Sequence, residues 1–203
     1  MAELAHSLRD NPRLDRWLRF EADRTVRVAT GKVELGQGIL TALAQIAAEE
    51  LDLDLGQVRI MSGNSVEGPG EGYTSSSWSI EHSGAAIRLV AAEVRAMAIE
   101  RAALRLNAAP DEIAVAAGTF LRNGEPSGID YWTIAPELDL SVEASGTVAP
   151  KPASAHRIVG TSVPRLDLPA KLAGAGFIHD MELPGMLHAR TLRQPGRDAR
   201  LVS

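Results

Sequence analysis

The sequence predicts an α/β domain organised around one strand–helix–strand unit. Residues 25–30, TVRVAT, alternate apolar and polar side chains, as a strand does. A glycine turn, Gly36-Gln37-Gly38, ends this pattern, and apolar side chains then recur every three or four positions, which predicts a helix over 40–51. A second apolar stretch, QVRIMSG at 57–63, predicts the next strand. The simplest arrangement makes the two strands parallel, with the helix as a right-handed crossover.

The remaining elements follow in chain order. Residues 1–20 are a packed lead-in to the first strand, and residues 83–106 predict a long Ala-rich helix with one apolar stripe. Residues 113–116 and 119–121 predict a β-hairpin, and residues 129–134 a short buried element. The segment SGTVAPKPAS is rich in proline and small polar residues. It predicts a linker at 146–155, between a domain at 1–145 and a second one at 156–203.

Composition excludes several classes of protein. The 203 residues carry a formal net charge of −5, which provides no basic surface for nucleic acid. The chain has no cysteine, so it holds no disulfide, thiolate zinc site or iron–sulfur cluster of its own. Its five histidines show no metal-binding spacing, and the N-terminal sequence shows no signal peptide or membrane-spanning segment.

The two loops of the central unit are the predicted ligand site. Gln37 precedes a helix N-terminus, where unpaired N–H groups and the helix dipole suit an anionic or polar ligand. Its amide both donates and accepts hydrogen bonds, which suits a polar ring system. The second loop, at residues 62–84, is polar and rich in glycine. Its serine hydroxyls can surround a phosphate without any charged side chain; the serines are Ser75, Ser76, Ser77 and Ser79.

Each of these motifs also has an ordinary structural interpretation. A Gly-Gln-Gly turn is often only a tight turn, and a cluster of serines is often a solvated loop. The dinucleotide-binding pattern GxGxxG is incomplete because Thr41 stands at its third glycine, and the Walker pattern is absent. No GxSxG elbow of a serine hydrolase occurs. For Glu34, just before the turn, a solvated or capping role is favoured over a catalytic one.

Two longer segments of the sequence resemble those of a known protein family. GKVELGQGILTALAQIAAEELDL, followed by TSSSWSIEHSGAA, resembles the molybdopterin-binding large subunits of the xanthine dehydrogenase and aldehyde oxidase family. The likeness is greatest to the bacterial branch that contains nicotinate and isoquinoline oxidoreductases, in which this segment precedes the hammerhead domain. It implies that Gln37 hydrogen-bonds the molybdenum cofactor and that Ser77 and Ser79 bind the pterin phosphate region. Four neighbours are further candidates for contact with the cofactor: Gly36, Gly38, Thr74 and Ser76.

The resemblance also implies a fold, and the sequence differs from the usual residues of the family at two positions. A molybdenum-cofactor-binding α/β domain would be followed by the start of a hammerhead α/β domain, with strands at 176–178 and 186–192. Asn64 replaces the usual aspartate of a Gly-Asp-Thr or Gly-Asp-Ser turn; it can cap a turn but supplies no carboxylate. Trp78 stands between the two serines, where a smaller or basic residue is common.

The function implied is that of the N-terminal part of a molybdenum hydroxylase large subunit, which hydroxylates a heteroaromatic or aldehyde substrate. The cofactor would be molybdenum-molybdopterin or its cytosine dinucleotide form. The partners would be the remainder of the large subunit and a 2Fe-2S small subunit, which holds the iron–sulfur clusters. The family's general base is a glutamate near the C-terminal end of the large subunit. No catalytic residue and no metal ligand is therefore assigned here, and the chain is expected to be inactive alone.

The sequence also leads to an expected cellular location and leaves two alternative functions open. The expected location is the cytoplasm, or the periplasm if a partner that carries an export signal takes the chain along. One alternative function is a non-catalytic α/β remnant or protein-interaction module without cofactor. Another is a phosphate- or nucleotide-binding protein that uses the glycine turn, although the two missing phosphate-loop patterns argue against it.

Overall fold

The computed structural model describes residues 4–176, 180–200 and 202, and the chain divides into two compact units, Met1–Asp167 and Leu168–Ser203. The first unit contains two small sheets and two long helices. Its helices and strands are α1 (His6–Asp10), β1 (Leu18–Phe20), β2 (Val26–Thr30), α2 (Ile39–Leu51), β3 (Val58–Ser62), α3 (Ala85–Leu106), β4 (Ile113–Ala116), β5 (Thr119–Arg122), β6 (Glu125–Asp130) and α4 (Tyr131–Ile134).

The central unit has the predicted topology. Strands β2 and β3 are parallel, with a register that runs from Val26 opposite Val58 to Thr30 opposite Ser62. Helix α2 connects them, and β1 pairs antiparallel with the other edge of β2 to complete a three-stranded sheet. The carboxyl end of β2 therefore leads, through residues 31–35, to the glycine turn and the N-terminus of α2.

Small side chains let α2 and α3 pack closely. Leu43, Ala44 and Ala47 of α2 are fully buried, as are Ala91 and Val94 of α3. Alanines at a helix contact permit a short distance between the helix axes. The predicted apolar stripe of α3 is confirmed, and the helix itself is preceded by one turn of π-helix at Ser79–Gly84.

The second sheet has one strand more than the sequence predicts. The hairpin β4–β5 forms as predicted, and β6 adds antiparallel to β5 in the order β4-β5-β6. Strand β6 contains Pro126 and Gly128, two residues that strands normally avoid. A sheet edge tolerates both, and the pairing is irregular between Thr119 and Leu121.

Residues 146–155, predicted to be a linker, lie inside the first unit. Buried carboxylates of α2 bind this part of the chain. Glu50 accepts a hydrogen bond from the Lys151 backbone N–H over 3.1 Å. Glu49, 2% exposed, accepts three more from the backbone N–H groups of residues 157, 158 and 159, over 2.6 to 3.0 Å. The segment predicted to be a linker is therefore hydrogen-bonded to α2 through its Lys151 backbone.

The second unit contains the short helix α5 (Leu168–Leu172) and turns. The strand predicted at 186–192 is wrong: these residues form no strand, and Leu187 and Leu192 are more than 90% exposed. A strand needs a hydrogen-bonded neighbour, and these residues have none among the described parts of the chain. The strand predicted at 176–178 extends into residues 177–179, which lie outside the described residues. No helix among those described is both long and apolar enough to cross a membrane.

Candidate functional site

A cleft of about 430 Å³ opens between the Gly36–Gly38 turn and the serine loop, residues 74–80. It brings together the two regions that the sequence singled out, which lie about forty residues apart in the chain. Every predicted site residue except Gly36 contributes to its wall. The lining residues are Leu35, Gln37, Gly38, Ile39, Ala42, Thr74, Ser75, Ser76, Ser77, Ser79 and Ile80.

The Gly36–Gly38 turn depends on its glycines. Gly36 has φ of 109° and Gly38 has φ of 80°, both in the left-handed region that side chains other than glycine rarely adopt. Gly38 is the N-cap residue of α2, which begins at Ile39. The turn therefore ends the segment of residues 31–38 that connects β2 to α2, and it leaves Gln37 exposed at the cleft.

Glu34 caps the N-terminus of α2. One carboxylate oxygen, Oε1, accepts hydrogen bonds from the N–H groups of Gly36 and Gly38, each over 2.8 Å, and Oε2 lies 3.4 Å from the Leu40 nitrogen. The side chain is 7% exposed, so the residue is a buried cap rather than a solvated one. Burial opposes ionisation, but these hydrogen bonds and the Arg165 charge together hold the pKa of Glu34 below its usual value.

Gln37 is bonded within its own turn. Its Oε1 accepts from the Leu35 N–H over 2.5 Å, and its Nε2 donates to the Val33 carbonyl over 3.0 Å. The amide is thus held in one orientation at the edge of the cleft. A ligand that bonds to this amide has to share or replace those two contacts.

The serine loop contains two strained residues. Ser76 and Ser77 have φ of 53° and 61°, in the left-handed region, which non-glycine residues enter at a cost of about 1 kcal/mol or more. Within the described residues, the hydroxyl groups of Ser75, Ser76, Ser77 and Ser79 make no hydrogen bond. The π-helix follows directly, at Ser79–Gly84. Strained backbone and π-helical turns both occur preferentially at functional sites.

Trp78 points its ring at a histidine. The indole stacks on His82 with 5.1 Å between ring centroids, and His82 stacks in turn on His6 at 4.4 Å. The tryptophan is 44% exposed, and it is not among the residues that line the cleft. The bulky residue between Ser77 and Ser79 therefore leaves the space beside these serines open.

A buried carboxylate joins the two sides of the cleft. Glu71 Oε2 accepts hydrogen bonds from the Thr30 hydroxyl, the Gly31 N–H and the Ser83 hydroxyl, over 3.0, 2.7 and 3.0 Å. Thr30 and Ser83 also bond to each other at 2.7 Å. Sequence reasoning missed this group, because its three partners come from the end of β2 and from the π-helical turn that precedes α3.

Lys32 and Thr74 reinforce the same connection. Lys32 is 1% exposed, and its Nζ donates to the carbonyl oxygens of Glu71 and Tyr73 over 2.8 and 2.9 Å. The Thr74 hydroxyl accepts from the Val33 N–H over 2.9 Å. The segment that enters the serine loop is therefore fastened to the segment that enters the Gly36–Gly38 turn.

Arg165 supports the turn from a distant part of the chain. Its Nη1 donates to the Gly36 carbonyl over 2.8 Å, and its Nη2 lies 3.4 Å from Glu34 Oε1. The guanidinium also forms a bidentate pair with Asp167, over 2.7 and 3.0 Å. The next residue, Leu166, donates its N–H to the Thr41 hydroxyl at the start of α2. No local sequence pattern indicates this contact.

Comparisons with known proteins identify the family to which the chain belongs. The profile of the molybdopterin cofactor-binding domain family matches residues 5–159, and the chain belongs to that family. A nicotinate dehydrogenase chain from Pseudomonas putida is 36% identical over 174 residues, or 85% of this chain and 15% of that protein. The beta chain of isoquinoline 1-oxidoreductase from Brevundimonas diminuta is 29% identical over 214 residues, or 85% of this chain and 27% of that protein.

A solved structure gives the same result. The Cu,Mo-CO dehydrogenase superposes on 63% of this chain with a TM-score of 0.52 and 27% sequence identity, and the match covers 17% of that chain. The resemblance predicted from the two motifs is thereby confirmed, as is the α/β fold class. The chain spans between 15% and 27% of the length of the two curated relatives described above.

Proposed function

We propose that the cleft between the Gly36–Gly38 turn and the serine loop binds the molybdenum–pterin cofactor. The observation that carries this proposal is the convergence of Gln37, Ser77 and Ser79 on one cleft. The family of the chain supports the same assignment. Gln37 would hold the pterin ring system, and the two serines would hold the phosphate region.

The donors present fit such a cofactor. Unpaired serine hydroxyls bind phosphate oxygens by hydrogen bonds, and left-handed residues next to right-handed ones turn successive N–H groups toward an anion. Ser77 and Trp78 form such a pair, with φ of 61° and −75°. An amide such as that of Gln37 matches the donor and acceptor groups of a pterin edge. The apolar residues Ile39 and Ile80 also line the cleft.

The cofactor, once bound, would supply the redox chemistry of hydroxylation, and this chain would position it. The activity is that of a molybdenum hydroxylase large subunit, and the substrate class is a heteroaromatic ring or an aldehyde. The partners are the remainder of the large subunit and a 2Fe-2S small subunit. The cofactor is molybdenum-molybdopterin or its cytosine dinucleotide form. The location is the cytoplasm, or the periplasm if a partner carries the export signal.

The test is to measure molybdenum and pterin in the purified 203-residue chain, expressed alone and together with the other subunits of a related enzyme. Elemental analysis gives the metal, and fluorescence of the oxidised pterin gives the organic part. We expect cofactor in the wild type and a reduction of about tenfold in the double variant Ser77→Ala, Ser79→Ala, because both hydroxyl donors are lost.

Ser154→Ala is the matched control, since Ser154 is exposed and lies outside the cleft. Its cofactor content should equal that of the wild type. Absence of molybdenum and pterin from every preparation would overturn the proposed function, as would equal cofactor content in the double variant and the control.

A further inference from the structure

We propose that Glu34 acts as a built-in anion at the N-terminus of α2 and thereby orients the ligand in the cleft. It would exclude phosphate from the Gly36–Gly38 turn and leave the serine loop as the place where a phosphate group binds. This inference rests on the proposed function, because it determines which end of a phosphate-bearing ligand meets which wall.

The Glu34 carboxylate occupies the N–H groups that a phosphate would use. A helix N-terminus is an anion site because its first N–H groups lack partners inside the helix. Here Glu34 Oε1 bonds the N–H groups of Gly36 and Gly38 at 2.8 Å, and Oε2 lies 3.4 Å from the Leu40 nitrogen. An incoming phosphate would have to displace all three contacts.

The charges next to the Gly36–Gly38 turn also disfavour a phosphate there. Arg165 is the cation next to the turn, and it is shared between two carboxylates: Glu34 at 3.4 Å and Asp167 at 2.7 Å. Glu34 therefore shares this guanidinium with Asp167 and does not have it to itself. The Glu34 carboxylate repels a second anion that approaches the same N–H groups.

The serine loop, on the opposite wall of the cleft, is neutral. From Thr74 to Ile80 the serine loop carries no charged side chain. The hydroxyls of Ser76, Ser77 and Ser79 make no hydrogen bonds within the described part of the chain. A phosphate therefore finds neutral donors in the serine loop, whereas the N–H groups of Gly36 and Gly38 are already bonded to the Glu34 carboxylate. The neutral amide of Gln37 remains as the group at the turn that suits an uncharged polar ring.

The test uses inorganic phosphate and the ¹⁵N-labelled 203-residue chain, with each amide followed by NMR. In the wild type, phosphate should shift the amides of Ser76, Ser77 and Ser79 and leave those of Gly36 and Gly38 unchanged. In Glu34→Ala the two glycine amides should respond, with an apparent phosphate affinity on the order of tenfold tighter than in the wild type. Sodium chloride at equal ionic strength separates a specific effect from screening.

Two further variants serve as controls. Glu34→Gln retains the shape of the side chain and a neutral acceptor, so it still gives a result if Glu34→Ala fails to fold. The amides of Gly36 and Gly38 in this variant should respond to phosphate more than in the wild type and less than in Glu34→Ala. Glu125→Ala makes the same change in net charge on β6, and should behave as wild type. Dispersed amide signals from the second sheet establish that each variant is folded.

Two results would overturn the inference. One is a phosphate response at Gly36 and Gly38 in the wild type that equals the response of the serine loop. The other is the absence of any gain at these glycines in both folded Glu34 variants. Because the readout is phosphate binding, it is independent of cofactor content: a chain without molybdenum that shows the expected shifts would refute the proposed function and leave the role of Glu34 intact.

Discussion

The Thr74 hydroxyl accepts a hydrogen bond from the Val33 N–H over 2.9 Å. This single contact connects the start of the serine loop to the residue that precedes the Glu34 cap. The two walls of the cleft are thus linked directly, in addition to their connections through Glu71 and Lys32. The shape of the cleft therefore depends on a few polar contacts whose removal has measurable consequences.

Thr74→Val should loosen this link. Valine has nearly the same shape as threonine, but it leaves the Val33 N–H without an acceptor, at a cost of about 1 to 3 kcal/mol in the free energy of unfolding. Urea denaturation measures the loss, and hydrogen exchange should be faster at the Val33 amide. Thr119→Val is the control, because the Thr119 hydroxyl makes no hydrogen bond among the described residues. Unchanged exchange at Val33 would show that the contact does not hold the loop.

Gly31→Ala should destabilise the segment between β2 and the turn. A Cβ at Gly31 would lie 2.7 Å from the Pro69 carbonyl oxygen and 3.0 Å from the Glu71 Cβ, so the backbone would have to shift. We expect a loss of about 2 kcal/mol in the free energy of unfolding. Gly56→Ala is the matched control, because a Cβ there meets nothing within 4 Å; its stability should stay within about 0.5 kcal/mol of the wild type. Equal stability of the two variants would contradict the close approach at Gly31.

Glu49 should make stability depend on pH on the acid side. Burial raises its pKa, but hydrogen bonds from Ile158, Val159 and Arg157 outweigh this effect and lower the pKa below the ordinary 4.5. A carboxyl whose pKa is lower in the folded state stabilises above its unfolded pKa, and this contribution is lost as the pH falls through the folded pKa. The stabilisation should therefore be complete above about pH 4.5 and decline below it.

The check is urea denaturation of the wild type and Glu49→Gln from about pH 7 to about pH 3. The variant should be less stable at neutral pH by about 2 kcal/mol, since a neutral amide replaces a charged acceptor of three N–H groups. The difference should shrink on acidification. Glu125→Gln, on the edge strand β6, should parallel the wild type. A difference that is constant over the whole pH range would exclude the proposed linkage.

Arg165→Leu should raise the pKa of Glu34. Burial already disfavours the charged form of this carboxyl, and the opposing hydrogen bonds from the turn remain in the variant. Loss of the guanidinium, 3.4 Å away, removes a charge that favours ionisation, so we expect the pKa of Glu34 to rise toward its ordinary value. Carboxyl ¹³C NMR titration measures it. Arg157→Leu removes a cation that pairs with Asp52 instead and should leave Glu34 unchanged. No rise in Arg165→Leu would mean that the N–H groups alone keep Glu34 ionised.

Much of the fold was predictable because its signals are local. The alternation in β2, the two glycines of the turn and the apolar repeats of α2 and α3 each depend on neighbours a few residues apart. The hairpin β4–β5 was found for the same reason. Strand β6 was missed because Pro126 and Gly128 contradict strand propensity, and it forms only because β5 offers an open edge.

The candidate site was likewise predictable only in part. The glycine turn and the cluster of serines are short motifs that predicted a ligand site, and the family resemblance singled out Gln37, Ser77 and Ser79 within them; the structure brings these three residues to one cleft. It did not foresee that Gln37 is bonded within its own turn, nor that residues 151–159 are held by Glu49 and Glu50. These contacts depend on which side chains meet after folding, so they cannot be predicted from the composition of the chain.

By itself, then, the sequence determined the strand–helix–strand order of the central unit and the donors available at the two loops. The tertiary structure decided how those donors are used. It brought Arg165 to Gly36 across 129 residues and Glu71 to Gly31 across 40, and it buried Glu34 where its carboxylate meets the first N–H groups of α2. The reason is physical: propensity and periodicity act between chain neighbours, whereas buried polar groups have to find partners wherever the fold provides them.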